Sequence, residues 1–300
     1  MTQARFGEVI TAMVTPFASD GSLDVKAARA LAAHLVEHSS EGLVVCGTTG
    51  ESPTLTAKEK LTLFENVCEE VGDSATVIAG TGTYDTAESI ALTKEAAAIG
   101  VDACLVVTPY YSKPPQNALT AHFLALAEAS EVPLICYDIP GRTSQRIERA
   151  TLVELASHER IAAVKDAVGD PAETARLRAE LDAAGHQDFE IYSGDDPLLL
   201  PHLAAGAVGV ISVCAHLVGD RLEAIFDAWN RGDIATARSV YLELTPLMTV
   251  IMRTTTSPIP VKAALAMLGF EVGEPRLPLV PATPEEEKAI RAALTAASLL

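Results

Sequence analysis

Short apolar runs, each followed by an alanine-rich stretch, recur at intervals of about 30 residues along most of this 300-residue chain. The runs lie near 8–15, 42–46, 76–79, 103–108, 132–137, 161–165, 189–193 and 207–213. Between them, residues 24–38, 57–71, 86–98, 117–130, 149–157, 171–184 and 196–205 read as helices. A run that is apolar at successive positions suits a strand covered on both faces, as in a parallel sheet. Strict alternation of such strands with helices leaves few topologies, and the (β/α)8 TIM barrel is the expected one. Asp24, Thr56 and either Asp85 or Thr86 stand where helix N-caps are needed. A doubly wound sheet is the competing architecture. It would carry a glycine-rich phosphate loop after the first strand, where this chain has Met13-Val-Thr-Pro-Phe17. Gly80-Thr-Gly82-Thr-Tyr-Asp85 lacks the last glycine of a dinucleotide fingerprint.

The strand pattern stops after residue 220. Segments 221–231, 233–252, 258–268 and 284–298 read as helices, punctuated by Gly232, Pro258, Gly269 and the proline-rich stretch 275–284. A catalytic barrel over 1–231 and a C-terminal helical extension over 232–300 are therefore expected.

The chain is 49% hydrophobic and only 5% aromatic, so its core must be built from Ala, Val, Leu and Ile. A formal charge of −18 argues against a nucleic-acid or anionic-membrane surface. It leaves an anionic small substrate open, because one arginine in a cleft outweighs a distant acidic surface. Residues Met1–Gly7 lack a long apolar leader segment, and no run is long enough to span a bilayer. The five cysteines include no CxxC pair, and Cys46, Cys104, Cys136 and Cys214 lie in or beside apolar runs. Free core thiols in a cytoplasmic protein are expected. Cys136 stands two residues before Asp138, but its neighbours Leu134 and Ile135 make it a core thiol rather than a nucleophile.

In a barrel of this kind chemistry collects where strands end and loops begin. There the chain places Thr15, Gly47-Thr-Thr-Gly-Glu-Ser52, Thr108-Pro-Tyr-Tyr111, Tyr137-Asp-Ile-Pro-Gly-Arg-Thr143, Lys165, Ser193-Gly-Asp-Asp196 and Ile211-Ser212. Lys165 closes the apolar run Ile161–Val164. A lysine at that point must pair with an acid such as Asp166, snorkel, or give up its proton. Desolvation favours the neutral amine, which is a nucleophile toward carbonyls. Thr48 and Thr49 between two glycines form either a capped turn or a carboxylate cradle. Tyr137 is either a core residue or, beside Lys165, a proton carrier. Arg142 is either a solvated loop charge or a planar fork for a substrate carboxylate. His34 and His38 are four residues apart on one helix without a third ligand, so a solvated face is expected there and no metal site.

The motifs GTTGES (47–52), TPYY (108–111), YDIPGRT (137–143), VKDA (164–167), SGDD (193–196) and GVISV (209–213) occur in this order. The set resembles the dihydrodipicolinate synthase and N-acetylneuraminate lyase superfamily of class I aldolases, from about residue 8 to the PRLP segment at 275–278. GTTGES together with an arginine after the fifth strand looks like the dihydrodipicolinate synthase branch. The resemblance implies condensation of pyruvate with L-aspartate 4-semialdehyde, toward diaminopimelate and lysine. Lys165 would form an imine with pyruvate, and Thr49 would hold the pyruvate carboxylate. Tyr137 would carry protons in a relay with Thr48 and with Tyr111 from a neighbouring subunit. Arg142 would bind the aldehyde's carboxylate, while Gly194 and the backbone around Ile211 would line the pyruvate pocket. No organic cofactor or metal is implied, and the assembly would be a homo-oligomer, a tetramer built as a dimer of dimers. The alternatives are a sugar-acid lyase of the same superfamily, which usually lacks the Arg142 equivalent, or a non-catalytic pyruvate-binding barrel.

The chain departs from the family pattern at a few positions. Asp138 stands where many members have Asn, Asp166 where many have Glu, and the segment 253–257 also differs. Of the positions that bind lysine in regulated members, Ser52, Glu88 and Tyr110 fit, whereas Ala57, Lys60 and Tyr84 do not. Weak or absent inhibition by lysine is therefore expected.

Overall fold

The apolar runs form eight strands: β1 (Val9–Ala12), β2 (Gly42–Val45), β3 (Thr76–Gly80), β4 (Ala103–Val107), β5 (Leu134–Asp138), β6 (Ile161–Asp166), β7 (Glu190–Ser193) and β8 (Gly209–Ser212). This is a computed structural model, and it describes residues 4–300; residues 1–3, part of the stretch read for a leader, lie outside the described residues. Every strand runs parallel to its sequence neighbours, and β8 closes on β1 through the partners Val9–Val210, Ile10–Ile211 and Thr11–Ser212. The expected (β/α)8 barrel is the observed fold.

Helices α1 (Val25–Glu37), α2 (Ala57–Val71), α3 (Thr86–Ile99), α4 (Gln116–Ala129), α5 (Pro140–Thr143), α6 (Arg149–Leu155), α7 (Pro171–Ala183), α8 (Leu199–Ala204) and α9 (Ala215–Asn230) alternate with the strands. Three more follow: α10 (Ile234–Arg253), α11 (Ile259–Met267) and α12 (Pro284–Ala296). The caps are as expected at Asp24, which accepts from Ala27 N, and at Thr56, which forms a reciprocal box with Glu59. At α3 the cap is Asp85, accepting from Ala87 N and Glu88 N, and not Thr86. None of the helices is long and apolar enough to cross a membrane, among the described residues.

Three details differ from the expectation. The four-residue helix α5 is unanticipated. The stretch 196–205 divides into a 3-10 turn, Asp196–Leu198, and α8. Helix α9 begins at Ala215 rather than at 221, with a kink at Val218. One local and one tertiary contact hold its first turn: the Ser212 hydroxyl accepts from Ala215 N at 2.8 Å, and His216 accepts from Val14 N at 3.1 Å.

Two apolar clusters follow from the strand alternation. One fills the barrel interior with Ile10, Val44, Ile78, Leu105, Ile135, Ala163 and Ile211. The larger one lies between strands and helices and takes the alternate residues, such as Val9, Val45, Val77, Cys136 and Val164. All five cysteines are free, four of them buried, and desolvation pushes the Cys136 thiol far above its ordinary range. The solvated face expected at His34 and His38 holds for His38, which is exposed, and needs correction at His34. His34 is half-buried, its ring centroid 4.3 Å from that of Phe270, because the chain after α11 folds back over α1. His38 bonds Asp220 at 3.0 Å.

Candidate active site

Lys165 and Tyr137 are partners in register on β6 and β5, and the alternation that turns Val164 outward turns both of them into the barrel. Lys165 is 5% exposed, with Nζ 4.4 Å from the centroid of the Tyr137 ring. Burial lowers its amine to about 8, with Arg142 adding to the shift and Asp196 opposing it. The possible ion pair with Asp166 does not form. Asp166 faces the helix layer, where it accepts from Thr174 Oγ1 at 2.6 Å and from Val168 N at 3.0 Å. Burial pushes the Tyr137 phenol up to about 12, against the opposing pull of the Arg142 charge and the Thr48 hydroxyl.

The loop after β2 brings Thr48 and Thr49 to the same mouth. It turns through left-handed backbone at Cys46 (φ 57°) and Glu51 (φ 58°), conformations that non-glycine residues adopt only when the surroundings impose them. Those surroundings are visible. Thr15 donates to Gly50 O at 2.6 Å, and Glu51 pairs with Lys262 of α11 at 2.7 Å, both side chains almost wholly buried. Arg276 N also donates to Glu51, at 2.8 Å. Thr49 is buried and accepts from Ser257 Oγ at 3.3 Å.

The loop after β7 supplies a close packing partner for the lysine. A Cβ on Gly194 would stand 2.8 Å from Ala167 Cβ, 3.1 Å from Asp166 O and 3.2 Å from Lys165 Cε. Only glycine leaves that space to the lysine side chain. Its neighbours are committed elsewhere: Asp195 pairs with Arg253, and Asp196 accepts from Ser212 Oγ and from Val213 N at 3.0 Å.

A cavity of about 210 Å³ opens on the β2–β5 side of the mouth, and Thr48, Ser52, Tyr110, Tyr137 and Arg142 are in its wall. Arg142 sits exposed on α5, above Tyr137. Ile211 is buried in the barrel interior, in the cluster that holds the Tyr137 ring. Tyr111 is not brought to the cavity. Its side chain is 96% exposed and its backbone is left-handed (φ 70°).

Three residues of the last quarter of the chain reach this mouth with no local sequence pattern to announce them. Arg253 and Ser257 belong to the segment that departs from the family pattern, and Lys262 lies in an apolar helix where it reads as a surface charge. A buried acid, Glu51, in need of a counter-charge was the available clue.

The family model described as the Dihydrodipicolinate synthetase family matches residues 5–297. A Mycolicibacterium paratuberculosis protein named 4-hydroxy-tetrahydrodipicolinate synthase is 53% identical over 300 residues, covering 99% of this chain and 97% of that protein. The lysine-bound dihydrodipicolinate synthase of Cyanidioschyzon merolae superposes with a TM-score of 0.95 at 42% identity, over 98% of this chain and 99% of that one. A pyruvate complex of the chloride-inhibited dihydrodipicolinate synthase from Acinetobacter baumannii gives 0.94 at 35% identity, over 98% and 100%.

Proposed function

The chain belongs to the dihydrodipicolinate synthetase family, and on that premise we propose that it condenses pyruvate with L-aspartate 4-semialdehyde to 4-hydroxy-tetrahydrodipicolinate through an imine on Lys165. The observation that carries the reading is the buried amine of Lys165 beside the Tyr137 phenol. At a pKa of about 8, roughly one molecule in ten holds the neutral amine at pH 7, against about one in 2,500 for a solvated lysine.

The neutral Nζ attacks C2 of pyruvate, and the resulting carbinolamine loses water to give the imine. Loss of a methyl proton then gives the enamine, whose carbon adds to the aldehyde. Cyclisation through the aldehyde substrate's amino group displaces the lysine and frees it for the next turnover. Tyr137 moves the protons, with Thr48 as its hydroxyl partner. Thr49 holds the pyruvate carboxylate, and Gly194 and Ile211 shape the space around it. Arg142 binds the carboxylate of the aldehyde, which favours this acceptor over a sugar aldehyde.

Tyr111 completes the relay from a second copy of the chain, in a homo-oligomer built as a dimer of dimers and working in the cytoplasm. Its exposure and left-handed backbone support this, because a strained, solvated aromatic residue gains nothing within one subunit. Borohydride reduction in the presence of pyruvate tests the reading. One pyruvyl-derived group is expected on the peptide containing Lys165, and labelling elsewhere overturns the mechanism.

A further inference from the structure

Arg142 rides on a loop that carries its own internal ties. Helix α5 ends at Ser144 in left-handed backbone (φ 57°), and Thr143 Oγ1 lies 3.0 Å from Ile139 O and 2.6 Å from Gln145 O. A segment locked in this way moves as one body, so the position of Arg142 depends on how the loop's ends are attached. The near end continues β5. The far end is held at Ile147, whose N–H donates to Asp138 Oδ1 at 3.1 Å. Asp138 is the last residue of β5, next to Tyr137, and its carboxylate therefore faces the helix layer and away from the cavity. It is 2% exposed, and Ile147 is wholly buried. The loop thus closes on its own starting strand through one side chain.

A second fastening supports the same segment from α4. Gln116 Nε2 donates to Arg146 O at 2.9 Å, while its Oε1 accepts from Glu148 N at 3.0 Å and from Thr151 Oγ1 at 2.8 Å. The backbone of Asp138 also reaches the lysine strand, its carbonyl accepting from Ala167 N at 2.9 Å. One residue therefore joins the loop that bears Arg142 to the strand that bears Lys165.

We infer that Asp138 is a positioning residue for Arg142, setting the place of the acceptor's carboxylate through Ile147 without touching substrate. The inference rests on the reading of Arg142 given above. Asparagine keeps the acceptor oxygen at this position, and a variant without an acceptor releases the far end of the loop.

The test compares Asp138→Ala, Asp138→Asn, Arg142→Ala and the Asp138→Ala/Arg142→Ala double variant. Asp138→Ala is expected to keep imine formation with pyruvate within about twofold and to raise KM for aspartate semialdehyde about tenfold. Asp138→Asn restores the KM, and the double variant is no worse than Arg142→Ala within about twofold. Hydrogen exchange at the amides of 139–147 speeds up in Asp138→Ala and not in Asp138→Asn, a readout independent of what Arg142 binds. Should the alanine variant fail to fold, Asp138→Leu keeps the branched outline of the side chain, removes the acceptor and carries the same expectations. Unchanged loop exchange, or penalties that multiply in the double variant, overturn the inference. An Arg142→Ala enzyme with unaltered KM, alongside a loosened loop in Asp138→Ala, retires the carboxylate reading of Arg142 and leaves the mount standing.

Discussion

Tyr137 and Lys165 are register partners on neighbouring strands, and the lysine nitrogen lies 4.4 Å from the centre of the phenol ring. The barrel interior that holds them desolvates both, lowering the amine to about 8 and raising the phenol to about 12. At neutral pH the phenol is therefore protonated, while the amine is in part free to attack. The rate of imine formation with pyruvate should rise with pH and level off above about 8. Because the Arg142 charge contributes to the lowering, Arg142→Ala should move the midpoint upward. Stopped-flow measurement of imine formation between pH 6 and about 9.5 checks both. A flat profile would show that the amine is not the titrating nucleophile.

Gly194→Ala probes the packing behind the lysine. The new methyl would lie 2.8 Å from Ala167 Cβ, 3.1 Å from Asp166 O and 3.2 Å from Lys165 Cε, so Ala167 must shift and the lysine must give by a few tenths of an ångström. Imine formation should slow by up to about tenfold, since misplacing a reacting group by about 1 Å costs about a hundredfold and this displacement is smaller. Labelling kinetics with pyruvate decide it, and wild-type rates would mean that the lysine has slack.

Subunits that each lack a different residue should complement one another. Lys165→Ala subunits retain Tyr111, and Tyr111→Phe subunits retain Lys165, so a mixed pair holds one complete site. Activity should reappear on co-assembly, to about half of the wild-type level per mixed dimer, since one of its two sites is complete. No recovery in verified mixed assemblies counts against a shared tyrosine.

Lys262→Met removes the counter-charge of a buried acid while keeping the bulk of the side chain. Glu51 and Lys262 are 2.7 Å apart and nearly solvent-free, and breaking such a pair costs about 3–5 kcal/mol. Chemical denaturation should register that loss, and KM for pyruvate should rise as the Thr48–Thr49 loop loosens. The double change Glu51→Gln with Lys262→Met should recover most of the stability.

Lysine should inhibit weakly or not at all. Lys60 is 6% exposed, and burial lowers its amine from the ordinary lysine value. It stands where the resemblance puts a lysine-contacting histidine, and a like charge at ~4 Å costs a cationic ligand about 1 kcal/mol even when well solvated. Tyr84, in place of an asparagine, is 60% exposed and packs edge-on against Tyr110 at 5.3 Å. Half-inhibition below 1 mM at saturating pyruvate, measured by the coupled assay, would reverse this expectation.

The barrel was legible because parallel strands are covered on both faces, so Leu43–Val45 or Cys104–Val107 stand out as unbroken apolar runs. The mouth was legible for the same reason, since Lys165, Tyr137 and Thr48 are the first polar residues after such runs. Helix α5 was not, because Pro-Gly-Arg-Thr is too short to show a period, and its shape is fixed by Thr143 bonding back along the loop. Arg253 and Ser257 were hidden by distance along the chain. Their partners, Asp195 and Thr49, lie 58 and 208 positions away, and no local pattern encodes such pairings. Asp138 was visible only as a departure from asparagine, because its partner Ile147 is an apolar residue that takes part through its backbone.

Strand β8 ends at Ser212, yet Glu51 meets Lys262 only in α11 and Arg276 only beyond it. A chain emerging from the ribosome can therefore close its eight-stranded wall while an acid beneath the Thr48–Thr49 loop still lacks its counter-ion. That acid must stay hydrated until α10 and α11 have been made and docked. The order of synthesis thus leaves the Thr48–Thr49 loop without its brace in the nascent barrel, and a finished mouth arrives with the last helices rather than with the last strand.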